Sequence, residues 1–435
     1  MKRTQRINRQ LNIKAISLAP KVSVAPVALV LMLAILPALM VSPAMPHTLV
    51  GAGAWLGWLG SGLVSVSLLL MVREPTVAAW FGGLDRMLRW HHALGTLGYV
   101  ALLAHPLAIA GEALPADPAA AWRMLSPFTQ SLPGLLGWVA LVSLMAGLAS
   151  TFAMRLRYSL WRKLHATLGI GVLAGIAHLL AVRGLSTGAW LVIIPAIFAL
   201  SWRALRADLG GSARPYEVSA VANLPGRITE AALKPLTVPI QVVPGQFVMA
   251  AFFEGPNYRG CGEYHPYTVS GTAPDGALTL SIKALGDCTR NIQSLEPGVA
   301  ARIQGPYGTF LVDRIEAPEL WIAGGIGITP FLALLRAGPV TRPTEFIYTY
   351  REATDAPYLA ELAEHSASQA LLRFHPLTLQ ENLSPLFELL ETLPDLAVRH
   401  VYLCGPPPLV EAINRKLGLR GVPQRQIHFE NFDFR

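Results

Sequence analysis

Charge is what this sequence has least of. Asp, Glu, Lys and Arg make up only 14% of the 435 residues, and the first 210 contain long runs with none. Such runs are too many for one soluble core, which argues against a wholly soluble protein. Cysteine is scarce too: Cys261, Cys288 and Cys404 are the only three. An odd number without paired spacing argues against a disulfide framework and suits a reducing compartment. There is no D-x-[DN]-x-[DN]-G loop, so direct calcium gating is not expected. No short apolar core followed by a small-residue cleavage site occurs near the start, so the basic N-terminal arm is expected to stay attached. The net charge of +8 does not point to nucleic acid, because much of the basic excess sits at the ends of apolar runs.

What is there begins with those runs. Six stretches, 22–44, 49–72, 90–111, 134–154, 164–182 and 184–202, are each about long enough to cross a bilayer as a helix. The arm of residues 1–21 carries Lys2, Arg3, Arg6, Arg9, Lys14 and Lys21. With that arm inside, alternation puts Arg73, Arg86, Arg89, Arg155, Arg157, Arg162, Lys163, Arg203 and Arg206 inside as well, and only Arg123 and Arg183 outside. Positive loops favour the cytoplasm, so the second half of the chain is expected there.

Ionisable residues within membrane spans are costly and mark function. His91, His92 and His105 lie on the third span, His165 and His178 on the fifth. Fourteen residues separate His91 from His105, about 21 Å of helical rise and nearly four turns, so both share a face. Thirteen separate His165 from His178, about 19.5 Å, with a poorer helical phase. Both helices run the same way. His91 and His165 therefore fall at an inner level and His105 and His178 at an outer one, a pattern for two haems with bis-His ligation. A zinc site would gather its ligands at one point instead. His91 is preferred over its neighbour His92 as the inner ligand, because His92 points away from His105; the choice between them stays open.

From about Arg214 short strands separated by Gly and Pro turns predict an antiparallel barrel. His265-Pro266-Tyr267-Thr268 falls on one strand, where a Tyr ring can cover a flavin and a hydroxyl can reach its edge. Gly286-Asp287-Cys288-Thr289-Arg290 suits a pyrophosphate through backbone N–H groups and the guanidinium. Beyond Pro318 the pattern becomes α/β. The strand 320–323 runs into Gly324-Gly325-Ile326-Gly327-Ile328-Thr329-Pro330, where bare backbone can approach a phosphate, Thr329 can cap a helix and Pro330 fits its first turn. This is not the G-x-G-x-x-G pattern of the usual dinucleotide fold. A strand over 346–350 ends at Arg351, placed to hold the 2′-phosphate of NADPH. Another, 400–403, ends in Cys404-Gly405-Pro406, with a sulfur at the carboxyl edge of the sheet.

Taken in order, these motifs, with Gly305-Pro306-Tyr307-Gly308 and the aromatic C-terminus, resemble the ferric reductase / NADPH-oxidase superfamily, in particular its bacterial predicted ferric reductases, over nearly the whole chain. The resemblance implies a multi-domain membrane protein: a six-helix haem bundle (22–206), an antiparallel β-barrel FAD domain (213–315) and a ferredoxin-reductase-like α/β nucleotide-binding domain (316–435). It implies FAD contacts from His265, Pro266, Tyr267 and Thr268, with Gly286 to Thr289 near the pyrophosphate. It also implies NAD(P)H contacts from Gly324, Gly325, Gly327 and Thr329, with Cys404 near the nicotinamide. Phe434, in preference to Phe432, would shield the flavin. Cys288 stands where many relatives carry an aromatic.

The expected activity is electron transfer from cytosolic NADPH or NADH through FAD and two b-type haems to a small acceptor outside, a ferric chelate or dioxygen. A haem-only donor to a periplasmic protein is the alternative, although the flavin and nucleotide module makes an obligatory protein partner unnecessary. A transporter with a regulatory nucleotide domain would have no need of paired intramembrane histidines. The lipid bilayer is the expected surroundings, in a bacterial inner membrane.

Overall fold

The computed structural model describes residues 24–41, 47–152, 156, 158–312, 314–380 and 382–429. The N-terminal arm, Arg155, Arg157, Phe432 and Phe434 lie outside the described residues.

Among the described residues the regular elements of the apolar half are helices: α1 (Val24–Val41), α2 (Leu49–Leu69), α3 (Pro75–Trp80), α4 (Leu84–Ala113), α5 (Pro118–Leu125), α6 (Leu132–Phe152), α7 (Tyr158–Arg183) and α8 (Thr187–Trp202). Five of them, α2, α4, α6, α7 and α8, are long and apolar enough to cross a membrane. The sixth expected span is described only as α1, whose apolar part Ala25–Val41 is shorter. Large apolar side chains such as Leu97, Val100, Ile170 and Ile194 stand more than half exposed on these helices, as they must where lipid tails rather than protein cover them. Polar caps mark where two helices begin. Thr48 accepts from the Gly51 amide ahead of α2, and Ser186 from the Ala189 amide ahead of α8.

The third span starts earlier than hydropathy suggested, at Leu84 instead of residue 90. Asp85, Arg86 and Arg89 lower the hydropathy of that first turn, but Leu84 and Met87 are buried with Phe247, Met249 and Tyr307 of the following domain. The turn is amphipathic because it leaves the apolar layer and meets protein.

The second half holds two sheets. β1 (Arg214–Leu224), β2 (Ile228–Pro235), β3 (Phe247–Phe252), β4 (His265–Thr272), β5 (Leu278–Lys283) and β6 (Ala300–Tyr307) close an antiparallel barrel in the order β1-β2-β5-β4-β3-β6. A short helix, α9 (Asp287–Asn291), follows β5. Then come β7 (Glu319–Gly324), α10 (Thr329–Ala337), β8 (Thr344–Tyr350), α11 (Leu359–Ser368), β9 (Leu372–Thr378), α12 (Ser384–Thr392), β10 (His400–Cys404), α13 (Pro407–Leu419) and β11 (Ile427–Phe429). Their strands form one parallel sheet in the order β11-β10-β7-β8-β9.

The three layers are tied together. Tyr307 Oη donates to the Arg73 carbonyl at 2.9 Å and Gln304 Nε2 to the Ala207 carbonyl at 2.8 Å, docking the barrel on the bundle. Arg336 of α10 grips Glu361 with two bonds of 2.7 and 3.0 Å and reaches Glu230 of β2 at 3.2 Å. Tyr358 Oη donates to the same Glu230 carboxylate at 2.8 Å. Charge-assisted bonds of this kind are about twice as strong as neutral ones, so they hold barrel and sheet in one arrangement.

Candidate functional site

The four predicted histidines come together in pairs. His91 and His165 face each other with ring centroids 6.5 Å apart and planes at 73°. Two nitrogen–metal bonds of about 2 Å set donor atoms about 4 Å apart across one ion, and the half-widths of two imidazoles supply the remainder. His105 and His178 line one cavity of about 410 Å³, with Trp58, Trp138 and Arg183 also in its wall. That volume lies within the range of cofactor pockets, roughly 300–1,000 Å³.

What fixes the rings was not visible in the histidine spacing. Nδ1 of His105 lies 2.7 Å from the Gly53 carbonyl, Nδ1 of His178 lies 2.7 Å from the Pro133 carbonyl, and Nδ1 of His91 lies 2.8 Å from the Ser67 carbonyl. A carbonyl only accepts, so in each of these rings Nδ1 carries the hydrogen and Nε2 is left with its lone pair. His165 Nδ1 sits 3.3 Å from Thr151 Oγ1, and that hydroxyl donates to the Gly147 carbonyl, so it accepts from the ring. The two helices on either side divide the work: α2 braces both histidines of α4, and α6 braces both of α7. A second element on each brace makes room. A Cβ on Gly57 would lie 2.9 Å from His105 Nδ1, and one on Gly137 would lie 3.0 Å from His178 Nδ1. Each glycine stands four residues after the carbonyl that holds the ring, Gly53 or Pro133. The recurring i, i+4 pair on the neighbouring helix is the signal that would have found them.

His92, the rival for the inner position, has its ring 5.5 Å from that of His91. His91 is opposed to His165 and anchored to α2. At the same level Trp161 stacks on His165, with centroids 5.0 Å apart.

In the barrel, His265, Pro266, Tyr267 and Thr268 open β4. Tyr267 is buried, and burial pushes its hydroxyl well above the usual phenol range. Gly286 caps α9, and Thr289 Oγ1 accepts from the Leu285 and Gly286 amides at 2.9 and 2.8 Å. That hydroxyl therefore serves the turn itself, while Arg290 remains on the helix surface. Cys261, from the loop before β4, lies beside His265 and Cys288, and their ligand atoms are within 4.8 Å of one another. No disulfide joins any of the three cysteines. Sequence reasoning did not anticipate this grouping.

In the parallel sheet the chain runs β7, β8, β9 to one side and then returns to place β10 and β11 on the other. The switch point falls between β7 and β10, where open α/β sheets bind ligands outside the carboxyl ends of their strands. Gly324 ends β7 and Cys404 ends β10, one residue out of register. Two of the glycines are bare for internal reasons: a Cβ on Gly327 would strike the Cys404 carbonyl, and one on Gly324 would meet Pro406 and Leu409. Gly405 packs less tightly, a Cβ there lying 3.2 Å from the Gly324 backbone. Gly325 is different. It takes φ +55° and has open space where a side chain would stand, which leaves its backbone accessible. Thr329 does not cap α10 as expected; it is the helix's first residue, and its hydroxyl donates to the Ile326 carbonyl at 3.1 Å. Arg351 stands exposed just past β8, at the same edge.

Residues 56–176 match the family described as "Ferric reductase like transmembrane component", and residues 321–415 match "Oxidoreductase NAD-binding domain". The reductase component of propane 2-monooxygenase from Mycolicibacterium goodii is 34% identical over 154 residues, 32% of this chain and 44% of its own. A flavohemoprotein from Burkholderia sp. (strain TH2) is 28% identical over 204 residues, 43% of this chain and 51% of its own. The chain thus spans about half the length of these curated relatives. Among solved structures, flavohemoglobin from Malassezia yamatoensis aligns over 92% of this chain and 98% of its own, with 18% identity and a TM-score of 0.48, too loose a likeness to carry an argument.

Proposed function

We propose that this membrane oxidoreductase, which joins a ferric-reductase-like transmembrane domain to an NAD-binding domain, carries electrons from NAD(P)H across the bilayer to a small acceptor on the far side. The observation that supports it most is the set of four imidazoles at two levels, each held through Nδ1 by a neighbouring helix. This donor set fits two haems. His91 with His165 would hold one, His105 with His178 the other, and Arg183 at the cavity wall would suit a propionate. When bound, FAD and the haems supply the conversion of a hydride pair into single electrons and their passage through the membrane.

The chain's own residues supply position and insulation. The carbonyls of Gly53, Ser67 and Pro133 keep Nδ1 protonated, so Nε2 is presented to a metal without a competing proton. Gly57 and Gly137 let α2 and α6 approach the rings closely enough to do so. The wall around the outer pair is largely apolar, with Leu102, Ile109, Leu141 and Ile176 among its side chains. In the cytosolic half, Tyr267 would cover the flavin, Arg290 would face its pyrophosphate, and Phe434 would shield its other side. Gly325, Cys404, Gly405 and Pro406 form the floor for the nicotinamide end at the switch point of the sheet, and Arg351 lies where a 2′-phosphate would extend. The excess of basic residues in the loops supports a cytoplasmic position for these domains, and we read the membrane as a bacterial inner membrane. The acceptor would be a ferric chelate or dioxygen on the far side of the membrane.

Purified protein with added FAD tests this. NADPH or NADH should reduce its haem bands, and adding ferric citrate or oxygen should reoxidise them. Equal reduction in flavin-stripped protein rejects the flavin step, and absence of any haem band rejects the reading.

A further inference from the structure

Among the described residues, one group of His, Cys, Asp and Glu side chains converges closely enough to hold a metal ion, and it lies outside the intramembrane pairs. Cys261 comes from the loop between β3 and β4, His265 begins β4, and Cys288 lies in α9 after β5. Barrel closure puts β4 between β3 and β5, so chain segments 27 residues apart meet at one end of that strand. The loop is shaped for the purpose: Gly262 takes φ +62° with open space around it, turning the chain sharply right after Cys261.

We propose that Cys261, His265 and Cys288 bind a soft divalent cation of the zinc class. Zinc bonds of about 2.3 Å to sulfur and about 2.0 Å to nitrogen place tetrahedral donors roughly 3.5–3.8 Å apart. The three ligand atoms already lie within 4.8 Å of one another, so closing on the ion needs shifts of an ångström or less. Two thiolates and an imidazole select zinc over magnesium or calcium, which prefer oxygen. Thiols retained in a reducing compartment also bind metal more readily than they form a lasting disulfide.

Two neighbours fit the same picture. The Glu263 carboxylate stands 3.7 Å from His265 Nε2, a further oxygen donor beside the set. Tyr258 is 1% exposed, close enough to both sulfurs to feel their charge, and its hydroxyl has no hydrogen-bond partner among the described residues. Buried hydroxyls are rarely left this way without an absent ligand or water. The Cys288 thiol also shares a hydrogen bond with Cys261. The ion would take the place of that shared proton, which would be released to solvent.

Occupation has a consequence that rests on the flavin reading above. His265 heads the segment assigned to FAD, so an imidazole drawn onto the metal would be turned from the flavin, and metal and flavin would compete.

The test uses full-length, flavin-free protein in detergent, stripped of metal and titrated with Zn²⁺ against a chromophoric chelator. One Zn²⁺ per chain is expected. Cys261→Ser and Cys288→Ser should each weaken binding more than about 100-fold, beyond the 10–100-fold loss typical of an outer-shell partner. Co²⁺ in place of Zn²⁺ should give thiolate charge-transfer absorption in the wild-type protein, which reads the site even where a variant folds poorly. No binding, binding unchanged in both variants, or recovery of Cys261 and Cys288 as a disulfide overturns the proposal. FAD affinity measured with and without Zn²⁺ separates the two readings: unchanged flavin binding on a zinc-loaded protein leaves the metal site standing and removes His265 from the flavin.

Discussion

Replacing Gly57 by alanine isolates the role of the brace in holding the outer histidine. The new methyl would sit 2.9 Å from His105 Nδ1 and 3.2 Å from Cε1, against an ordinary contact of 3.4–4 Å. The ring must move by roughly half an ångström, whereas metal–ligand distances tolerate about 0.2 Å. Its 2.7 Å bond to the Gly53 carbonyl is lost or bent in the process. Overpacking costs about 1–3 kcal/mol, and tenfold in affinity corresponds to about 1.4 kcal/mol. Outer haem affinity is therefore expected to fall about 10–100-fold. The same substitution favours the helix by about 1 kcal/mol in intrinsic propensity, so loss of haem would not be loss of fold. The assay is haem titration of apoprotein followed by its low-spin absorbance, with melting temperature as the control. Two haems bound at wild-type affinity by Gly57→Ala would refute the claim that α2 positions His105.

His91→Ala should remove the inner haem while His92→Ala keeps it, read as haem content per chain; the reverse result exchanges the two residues' roles. Thr151→Val deletes the hydroxyl that accepts from His165, and inner haem affinity should drop about tenfold with little change in the outer one. Arg336→Met breaks the bridge from α10 to Glu230 and Glu361, which on the order of 2–3 kcal/mol of charge-assisted bonding supports. Its expected signature is slower NAD(P)H-driven reduction with unchanged haem content, and normal rates would show that the two soluble domains hold together without it. Arg351→Ala should narrow the preference for NADPH over NADH in initial rates, and an unaltered ratio would reject its phosphate role.

The pairing of the histidines was legible because helical rise converts spacing into depth, and spacings of 14 and 13 residues on two spans running the same way suit two matched levels. Its supports were not. Gly53, Ser67 and Pro133 act through backbone carbonyls on other helices, and a carbonyl leaves no mark on residue type. The family resemblance supplied the order of the soluble domains, yet the sequence reading passed over β2. Ile228–Pro235, with its Ala, Leu, Glu and Lys, has helix-forming composition, and pairing with β1 and β5 makes it a strand. The glycines after β7 were read as room for phosphate, and Gly325 keeps that capacity. Gly324 and Gly327 are bare because β10 ends against them. Cys261 and Cys288 looked unrelated since only the closed barrel brings their segments together.

The most direct measurement is a haem count with axial-ligand spectroscopy on the purified chain and on single alanine variants of His91, His105, His165 and His178. Two low-spin, six-coordinate haems in the wild type, falling to one in each variant, is the predicted outcome. A chain that binds none, or that keeps both haems when any one of these imidazoles is gone, contradicts the account.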